Sequence, residues 1–311
     1  MRIGLVREAG GFGDIINLGA PAKQLKFENP NCYIVVFCPD EFVDLVAHLS
    51  CVDEVVSLGT LKDLRQVRRP RGSELDIDKY PYLAVIKEFS LDKVVDLFGV
   101  GYIHESTLLE PCTYSRSELF SIAAGCRYLD DSFAHFLFSG EEYKASQKFL
   151  SDKYRGRDFI GVSLRGTCKA RCYPYKKELV EEILKRGYDV IYFDGIEPDF
   201  ELPEGAWRSP KNFLDSAELV QFMEKMIVVD SAMLHVAAMN GFPTLCLAGP
   251  TDGRAITHSY KYVGYMNGVS DKCKEACQYN PKRGWNPECK ENGCKRMDSL
   301  RPEVVCEILF N

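Results

Sequence analysis

The feature that most constrains the fold is an alternation. Short, nearly continuous apolar runs are separated by segments of helical spacing. Arg2–Val6, Tyr33–Phe37 and Glu54–Ser57 read as strands in the first half, and Phe159–Leu164, Val190–Phe193, Met226–Val229 and Thr244–Ala248 in the second. Runs this short and this rich in Val, Ile and Leu suit strands buried on both faces of a sheet. Helical spacing is predicted from about Ile15 to Phe27, and over Glu41–Leu49, Leu91–Phe98, Ser115–Ala124 and Glu141–Ser151. It returns over Lys176–Arg186, Ala217–Lys225, His235–Met239 and Pro302–Leu309. Parallel strands need long crossovers, and helices between strands supply them. Pro81–Phe89 reads as a further strand, and Thr60–Asp78 as a polar, basic loop or insertion.

The grammar restarts after the charged segment at Glu141–Ser151. With 311 residues, two domains is the expectation at roughly 100–200 residues each. The boundaries read as 1–150 and 151–311, each an α/β Rossmann-like unit with a parallel sheet, the two facing a central cleft. Charge narrows the partners. The formal net charge of −6 argues against bulk nucleic-acid binding, which leaves a basic footprint. One local exception is the cluster Lys62, Arg65, Arg68, Arg69 and Arg71, which reads as a solvated loop. Its alternative is a docking patch for an anionic acceptor or membrane surface. The apolar run at the N-terminus is too short for a signal-peptide core, and no apolar stretch reaches the ~20 residues of a spanning helix, so a cytoplasmic protein is expected.

Four segments that follow strands can carry chemistry. Gly10-Gly11-Phe12-Gly13-Asp14 is a glycine-rich turn that lets backbone amides approach a ligand. It is neither a G-x-G-x-x-G fingerprint nor a phosphate-binding loop ending in Gly-Lys-Ser/Thr, and this lowers a dinucleotide oxidoreductase reading. Asp14 also reads as a helix-capping carboxylate. Arg165, Lys169 and Arg171 place three cations just past a strand end, where phosphate charge is well met. Asp230 and Ser231 end a buried strand as a helix begins, offering amides to an anion, with His235 one turn on. A capped helix with a satisfied histidine reads equally well. Gly249-Pro250-Thr251-Asp252 alone is a turn.

Taken together these motifs resemble glycosyltransferase family 9, the bacterial heptosyltransferases. The resemblance lies in the opening strand with Gly11-Phe12-Gly13-Asp14, then Asp230-Ser231-Ala232-Met233-Leu234-His235-Val236-Ala237-Ala238, then Gly241-Phe242-Pro243 and Gly249-Pro250-Thr251-Asp252, in the family's order and spacing. It implies the GT-B fold, two Rossmann-like domains. The first domain (residues 1–150) takes mainly the acceptor, and the second (151–311) mainly the nucleotide sugar. It implies an inverting transferase in which Asp14 is the general base for the acceptor hydroxyl, with Gly11 and Gly13 in the glycine loop. Arg171 stands where family members carry a phosphate-binding lysine, with Arg165 and Lys169 beside it. Asp230, Ser231, Ala232 and His235, with Gly249, Pro250 and Thr251, surround the diphosphate and sugar. No cofactor is required for catalysis. The family's usual pairing makes ADP-heptose the default donor and a glycan or lipopolysaccharide-type, lipid-linked acceptor the default partner, with peripheral contact at the inner membrane. Two positions depart from the family: Ser231-Ala232 replaces Thr-Gly, and Arg171 replaces Lys.

The chain has thirteen cysteines. Cys38, Cys126 and Cys246 lie among apolar residues and read as small buried hydrophobes. Cys273, Cys277, Cys289 and Cys294 form C-x3-C-x11-C-x4-C in a polar segment. Four thiolates in two short pairs can close a tetrahedral Zn or Fe site. A similar stretch precedes the last helix in some family 9 proteins, and in some it holds iron. Free thiols and disulfides are the alternatives.

Overall fold

The computed structural model describes residues 1–70, 73–100, 114–127, 135–195, 200–278 and 287–310. Its contacts divide the chain into two units, Met1–Leu137 and Phe138–Asn311. In the first, β1 (Arg2–Val6), β2 (Tyr33–Cys38), β3 (Glu54–Ser57) and β4 (Lys93–Asp96) form one sheet in the order β3-β2-β1-β4. Every pairing is parallel, with Ile3 opposite both Ile34 and Lys93. Val6, Val35, Phe37, Leu58, Leu64, Leu83 and Ile86 pack together into a core on the sheet.

The second unit holds β5 (Phe159–Ser163), β6 (Asp189–Tyr192), β7 (Ala206–Arg208), β8 (Lys225–Val229), β9 (Thr244–Ala248) and β10 (Val263–Asn267). They lie in the order β10-β9-β8-β5-β6-β7, again all parallel. In chain order this is 3-2-1-4-5-6, the doubly wound arrangement in which crossovers diverge on either side of the β5–β8 pair. Ile160, Val162, Ile227, Val229, Leu245 and Leu247 bury their side chains against Leu179, Val180 and Ile183 of helix Lys176–Lys185 and Val305 of helix Pro302–Phe310. Gly187 ends the former helix at φ +89°, as a left-handed stop requires.

Several local expectations are corrected. The helix expected from Ile15 to Phe27 is two, Phe12–Ile16 and Gly19–Glu28. Pro21 has no N–H to bond back to Asn17, so the chain restarts a helix there and places Pro in its first turn. Pro81–Glu88 is a 3₁₀ helix and not a strand, since Pro81 cannot donate to a ladder but suits a helix start. Leu91–Phe98 contains β4 and not a helix, because the β-branched pair Val94-Val95 fits beside β1. Thr60–Asp78 begins as a helix, Leu61–Val67, capped by the Thr60 side chain on the Asp63 amide. Arg69 is no solvated cation: it is 1% exposed, whereas Lys62 and Arg65 are exposed. Arg71 lies outside the described residues. Strands β7 and β10 and the short helices Gly253–Thr257 and Pro287–Asn292 were not anticipated.

The division between units falls before helix Gly140–Ser151. Ser146 of that helix donates to buried Glu218 at 2.8 Å, and Tyr143 packs on Phe222, so it belongs with the second unit. No helix among the described residues is long and apolar enough to cross a membrane.

Asp189, at the start of β6, is fully buried and neither carboxylate oxygen has a hydrogen-bond partner among the described residues. The Arg157 guanidinium stands 4.0 Å away. Burial raises the Asp189 pKa above its ordinary value. A raised folded-state pKa means that this group favours the folded state most at acid pH. That contribution is lost as pH rises from the ordinary carboxylate range through the folded value. Asp189→Asn is therefore expected to be more stable than the parent at neutral pH, with the gap closing on acidification. Urea unfolding of both proteins at about pH 4 and about pH 8 measures it. A gap that widens toward acid contradicts the account.

Candidate functional site

In an open parallel sheet, side chains that do chemistry collect beyond the carboxyl ends of the strands, at the point where crossovers diverge. Each unit has such an edge, and the residues singled out from sequence fall on both.

In the first unit, β1 runs out into Arg7 and Glu8, and the turn that follows carries Asp14 into helix Phe12–Ile16. Asp14 is not the cap residue. Gly11 occupies that position, and Asp14, three residues on, accepts from the Gly11 amide at 3.3 Å. Its carboxylate is also 3.5 Å from the Arg7 guanidinium and 3.5 Å from Arg116 Nε. Arg7 is itself buried, donating to the Leu97 carbonyl at 2.5 Å and lying over the Phe120 ring. Asp14 is thus a part-exposed carboxylate held in one orientation by two cations and an amide. Gly10 makes this possible. Its φ of +146° is in the left-handed half of the map, and a Cβ there would sit 2.8 Å from Asp14 Cβ. Around Gly11, by contrast, a Cβ would meet open space. Gly13 contributes a carbonyl that accepts from Asn17.

The same edge holds a buried ionic cluster. Arg69 Nε donates to Glu8 at 2.7 Å and its Nη2 to the carboxylate of Asp96, the last residue of β4. Tyr82 donates to the other Glu8 oxygen at 2.7 Å and accepts from the Arg69 amide. Burial and the Glu8 hydrogen bond push the Tyr82 phenol well above its usual value.

In the second unit the loops after β5, β8 and β9 converge. Arg171 Nε lies 3.4 Å from Asp230 Oδ2, and both side chains are largely buried. Arg171 Nε donates to Gln278 Oε1 at 3.0 Å, and the Gln278 amide donates to the Pro250 carbonyl at 2.8 Å. Gly166 lets the loop fold this tightly: a Cβ there would lie 2.3 Å from Arg171 Cβ. Asp194, beyond β6, accepts from the Leu164 amide at 3.0 Å and ties the loop to the strand end. Arg165 and Lys169 share the loop and join no ion pair among the described residues.

Ser231 is the cap residue of helix Ala232–Met239, yet its hydroxyl is buried with no hydrogen-bond partner among the described residues. The Thr251 hydroxyl is in the same state, in a residue 1% exposed. Buried hydroxyls are normally bonded, so the pair marks an edge whose polar groups lack protein partners. His235 Nδ1 is hydrogen-bonded to the Tyr260 hydroxyl. Asp252 is structural, capping helix Gly253–Thr257 and accepting from Asn267. Gly249 packs against Met297, where a Cβ would not fit.

Cys277 and Cys294 are buried, and Cys273 and Cys289 are partly so. Burial raises the Cys289 thiol pKa and Cys277 and Cys273 raise it further, while Cys294 is raised by burial and by Cys289 and Cys277. Cys289 therefore lies within electrostatic reach of the other three. Among the described residues no three His, Cys, Asp or Glu side chains are drawn into a metal-holding group. The helix bearing Cys289 packs on segment Lys169–Arg171.

Sequence reasoning missed Arg7, Arg116 and Gln278, and it gave Gly10 no role apart from the other glycines of its turn. Arg116 sits inside a Ser115-x-x-Glu118 capping box, which explains the surrounding residues but not the cation. Gln278 follows Cys277 and has no signature of its own.

Two parallel-sheet α/β units with ligand-type edges define the GT-B class of fold, and solved structures agree. The chain matches E. coli ADP-heptose lipopolysaccharide heptosyltransferase II over 99% of its length and 97% of that protein's, at 16% identity and a TM-score of 0.66. It matches a glycosyl transferase family 9 protein of Veillonella parvula over 99% and 96%, at 15% identity and a TM-score of 0.64. It also matches the iron-containing dodecameric glycosyltransferase TibC of enterotoxigenic E. coli over 99% of this chain and 75% of that one, at 12% identity and 0.62. No protein-family profile and no curated protein sequence matches. At these identities the shared property is the fold.

If the Arg171 loop is an anion-binding edge, its glycine is part of it. Gly166→Ala is expected to weaken inorganic pyrophosphate binding on the order of tenfold, about 1.4 kcal/mol. Titration calorimetry checks this, with the melting temperature as a control for folding. Unchanged affinity contradicts it.

Proposed function

We propose that this chain is an inverting glycosyltransferase that moves a sugar from a nucleotide-diphosphate sugar to an acceptor hydroxyl. The observation that carries the reading is the convergence of Arg171, Asp230 and the Pro250 turn beyond the carboxyl ends of β5, β8 and β9. That is the switch point where a doubly wound sheet takes a nucleotide. Arg171, with Arg165 and Lys169, meets the diphosphate charge, which grows as the sugar leaves. The amides of Ala232 and its neighbours at the helix start add to it, with the Ser231 and Thr251 hydroxyls and His235 as donors to phosphate or sugar oxygens. Gly249 and Pro250 shape the turn.

Asp14 is the general base. It accepts the proton of the acceptor hydroxyl as that oxygen attacks the anomeric carbon. The bond from that carbon to the diphosphate oxygen breaks on the opposite face, so configuration inverts. Arg7, Arg116 and the Gly11 amide hold the carboxylate in place for this, and no cofactor takes part. The default donor is ADP-heptose and the default acceptor a lipid-linked or lipopolysaccharide-type glycan, met in the cytoplasm. Exposed Lys62 and Arg65 are then available for peripheral contact with an anionic inner membrane. A second reading, a nucleotide-sugar-binding protein without turnover, shares the same second-unit edge and differs only at Asp14.

Thermal-shift screening against ADP-, GDP-, UDP- and dTDP-sugars identifies the donor, since a ligand of the native state raises the melting temperature. With that donor, Asp14→Asn is expected to keep affinity within about twofold while turnover falls by roughly 10²–10⁴. Full turnover in the variant rules out the base assignment, and no turnover in the parent with any acceptor favours the second reading.

Cys273, Cys277, Cys289 and Cys294 are the donor set that a tetrahedral Zn or Fe site takes, and the reading assigns them a structural metal with no step in the reaction. It is supported by the electrostatic reach of Cys289 to the other three thiols. Elemental analysis of the purified protein is expected to find about one Zn or Fe per chain, absent after all four are changed to Ser. Metal at background level in the parent ends the idea.

A further inference from the structure

We infer that Gln278 is a positioning residue for Arg171, and that through it the cysteine-rich segment sets how tightly the donor diphosphate is held. The inference rests on the donor reading above. A guanidinium Nε carries one hydrogen, and here Gln278 Oε1 takes it at 3.0 Å. Asp230 stands 3.4 Å from the same nitrogen, and its Oδ2 has no hydrogen-bond partner among the described residues. The carboxylate contributes charge at that atom while the neutral amide takes the hydrogen bond. Without Gln278, the Nε hydrogen would be open to Asp230, and Arg171 would be drawn into a hydrogen-bonded ion pair. Such pairs are stronger than neutral hydrogen bonds and compete directly with a phosphate oxygen.

Gln278 is suited to this role because its own place is fixed. It is 6% exposed, and its amide donates to the Pro250 carbonyl at 2.8 Å, so the backbone that carries the acceptor is anchored on the turn after β9. On the chain it follows Cys277, one of the four cysteines. Helix Pro287–Asn292, which bears Cys289, packs on Lys169–Arg171 from the same segment. The cysteine-rich stretch thus touches the cationic loop twice, once through packing and once through a hydrogen bond to its central cation. An Arg suits this contact where a Lys does not, since only a guanidinium has an Nε–H distinct from its terminal nitrogens.

The test is a double-mutant cycle on Gln278→Leu and Arg171→Lys in the full chain. Calorimetry would use whichever of ADP, GDP, UDP and dTDP raises the parent's melting temperature most, together with the matching nucleoside. Gln278→Leu leaves the backbone bond to Pro250 intact. It is expected to weaken the diphosphate by roughly five- to twentyfold and leave the nucleoside affinity unchanged. In the Arg171→Lys background the same change is expected to have no further effect, because the contact is already gone. Additive losses, an equal loss for the nucleoside, or no loss in Gln278→Leu where Arg171→Ala is weakened would each overturn the inference and leave the donor reading standing. A parent that binds none of the four, or an Arg171→Ala variant that binds as the parent does, overturns the donor reading itself. If Gln278→Leu does not fold, Gln278→Met, closer in length to the glutamine, serves in its place with the same expectations.

Discussion

The adjacency of β5 and β8 is the constraint on which the rest of the second unit depends. Both strands are parallel and buried, and the chain must leave each at the same edge and return from behind through a crossover. Because the crossovers from β5 run toward β6 and those from β8 toward β9, no connection covers the gap between the two strand ends. A loop that leaves β5 and a helix that starts after β8 must meet there. The Arg171–Asp230 contact is the local consequence. Gly166 and Asp194 are what the loop needs in order to turn back over its own strand.

The first unit solves the corresponding problem with charge. The gap between the ends of β1 and β4 is filled by Arg69, whose guanidinium bridges Glu8 and Asp96. Taking such groups out of water is costly, and removing one partner of a buried pair commonly costs about 3–5 kcal/mol because the other charge is left uncompensated. The cluster fixes the segment after helix Leu61–Val67 across the strand ends. Asp14 stands in the helix that follows the turn after Glu8, and its carboxylate is held by its own pairs with Arg7 and Arg116.

The parallel sheets were legible in the sequence because burial on both faces leaves continuous apolar runs. The seven strands read from such runs, β1 to β3 and the cores of β5, β6, β8 and β9, are present, although edge strand β3 is only partly buried. What failed had weaker or conflicting signals. Lys93–Asp96 is four residues with a charge at either end, so its period cannot be told from a helix. Ala206–Arg208 is shorter still. At the site, the motif residues were legible as types, but their partners were not. Arg7 and Arg116 belong to no motif in the sequence, and Arg69 reads there as a loop cation. Each owes its role to a contact distant in sequence, and local pattern carries no information about those. Gly10 was visible as one of three glycines, but only its φ of +146° separates it from Gly11.

Electrostatics also decides whether the second-unit edge suits an anion, given that a carboxylate sits in its centre. Arg165, Lys169 and Arg171 bring three positive charges and Asp230 one negative, so these four leave a surplus of two. Asp194 does not reverse this. It accepts from the Leu164 amide, and counted in full it still leaves a surplus of one. That surplus, the Ser231 and Thr251 hydroxyls without partners among the described residues, and a helix start at the same strand ends are what the proposed diphosphate ligand, with its negative charge and several acceptor oxygens, calls for. On the proposed reading, Asp230 keeps Arg171 ordered while no ligand is bound. A carboxylate too strongly bound to the guanidinium would defeat the purpose, which is why a neutral acceptor on the same nitrogen matters to the balance.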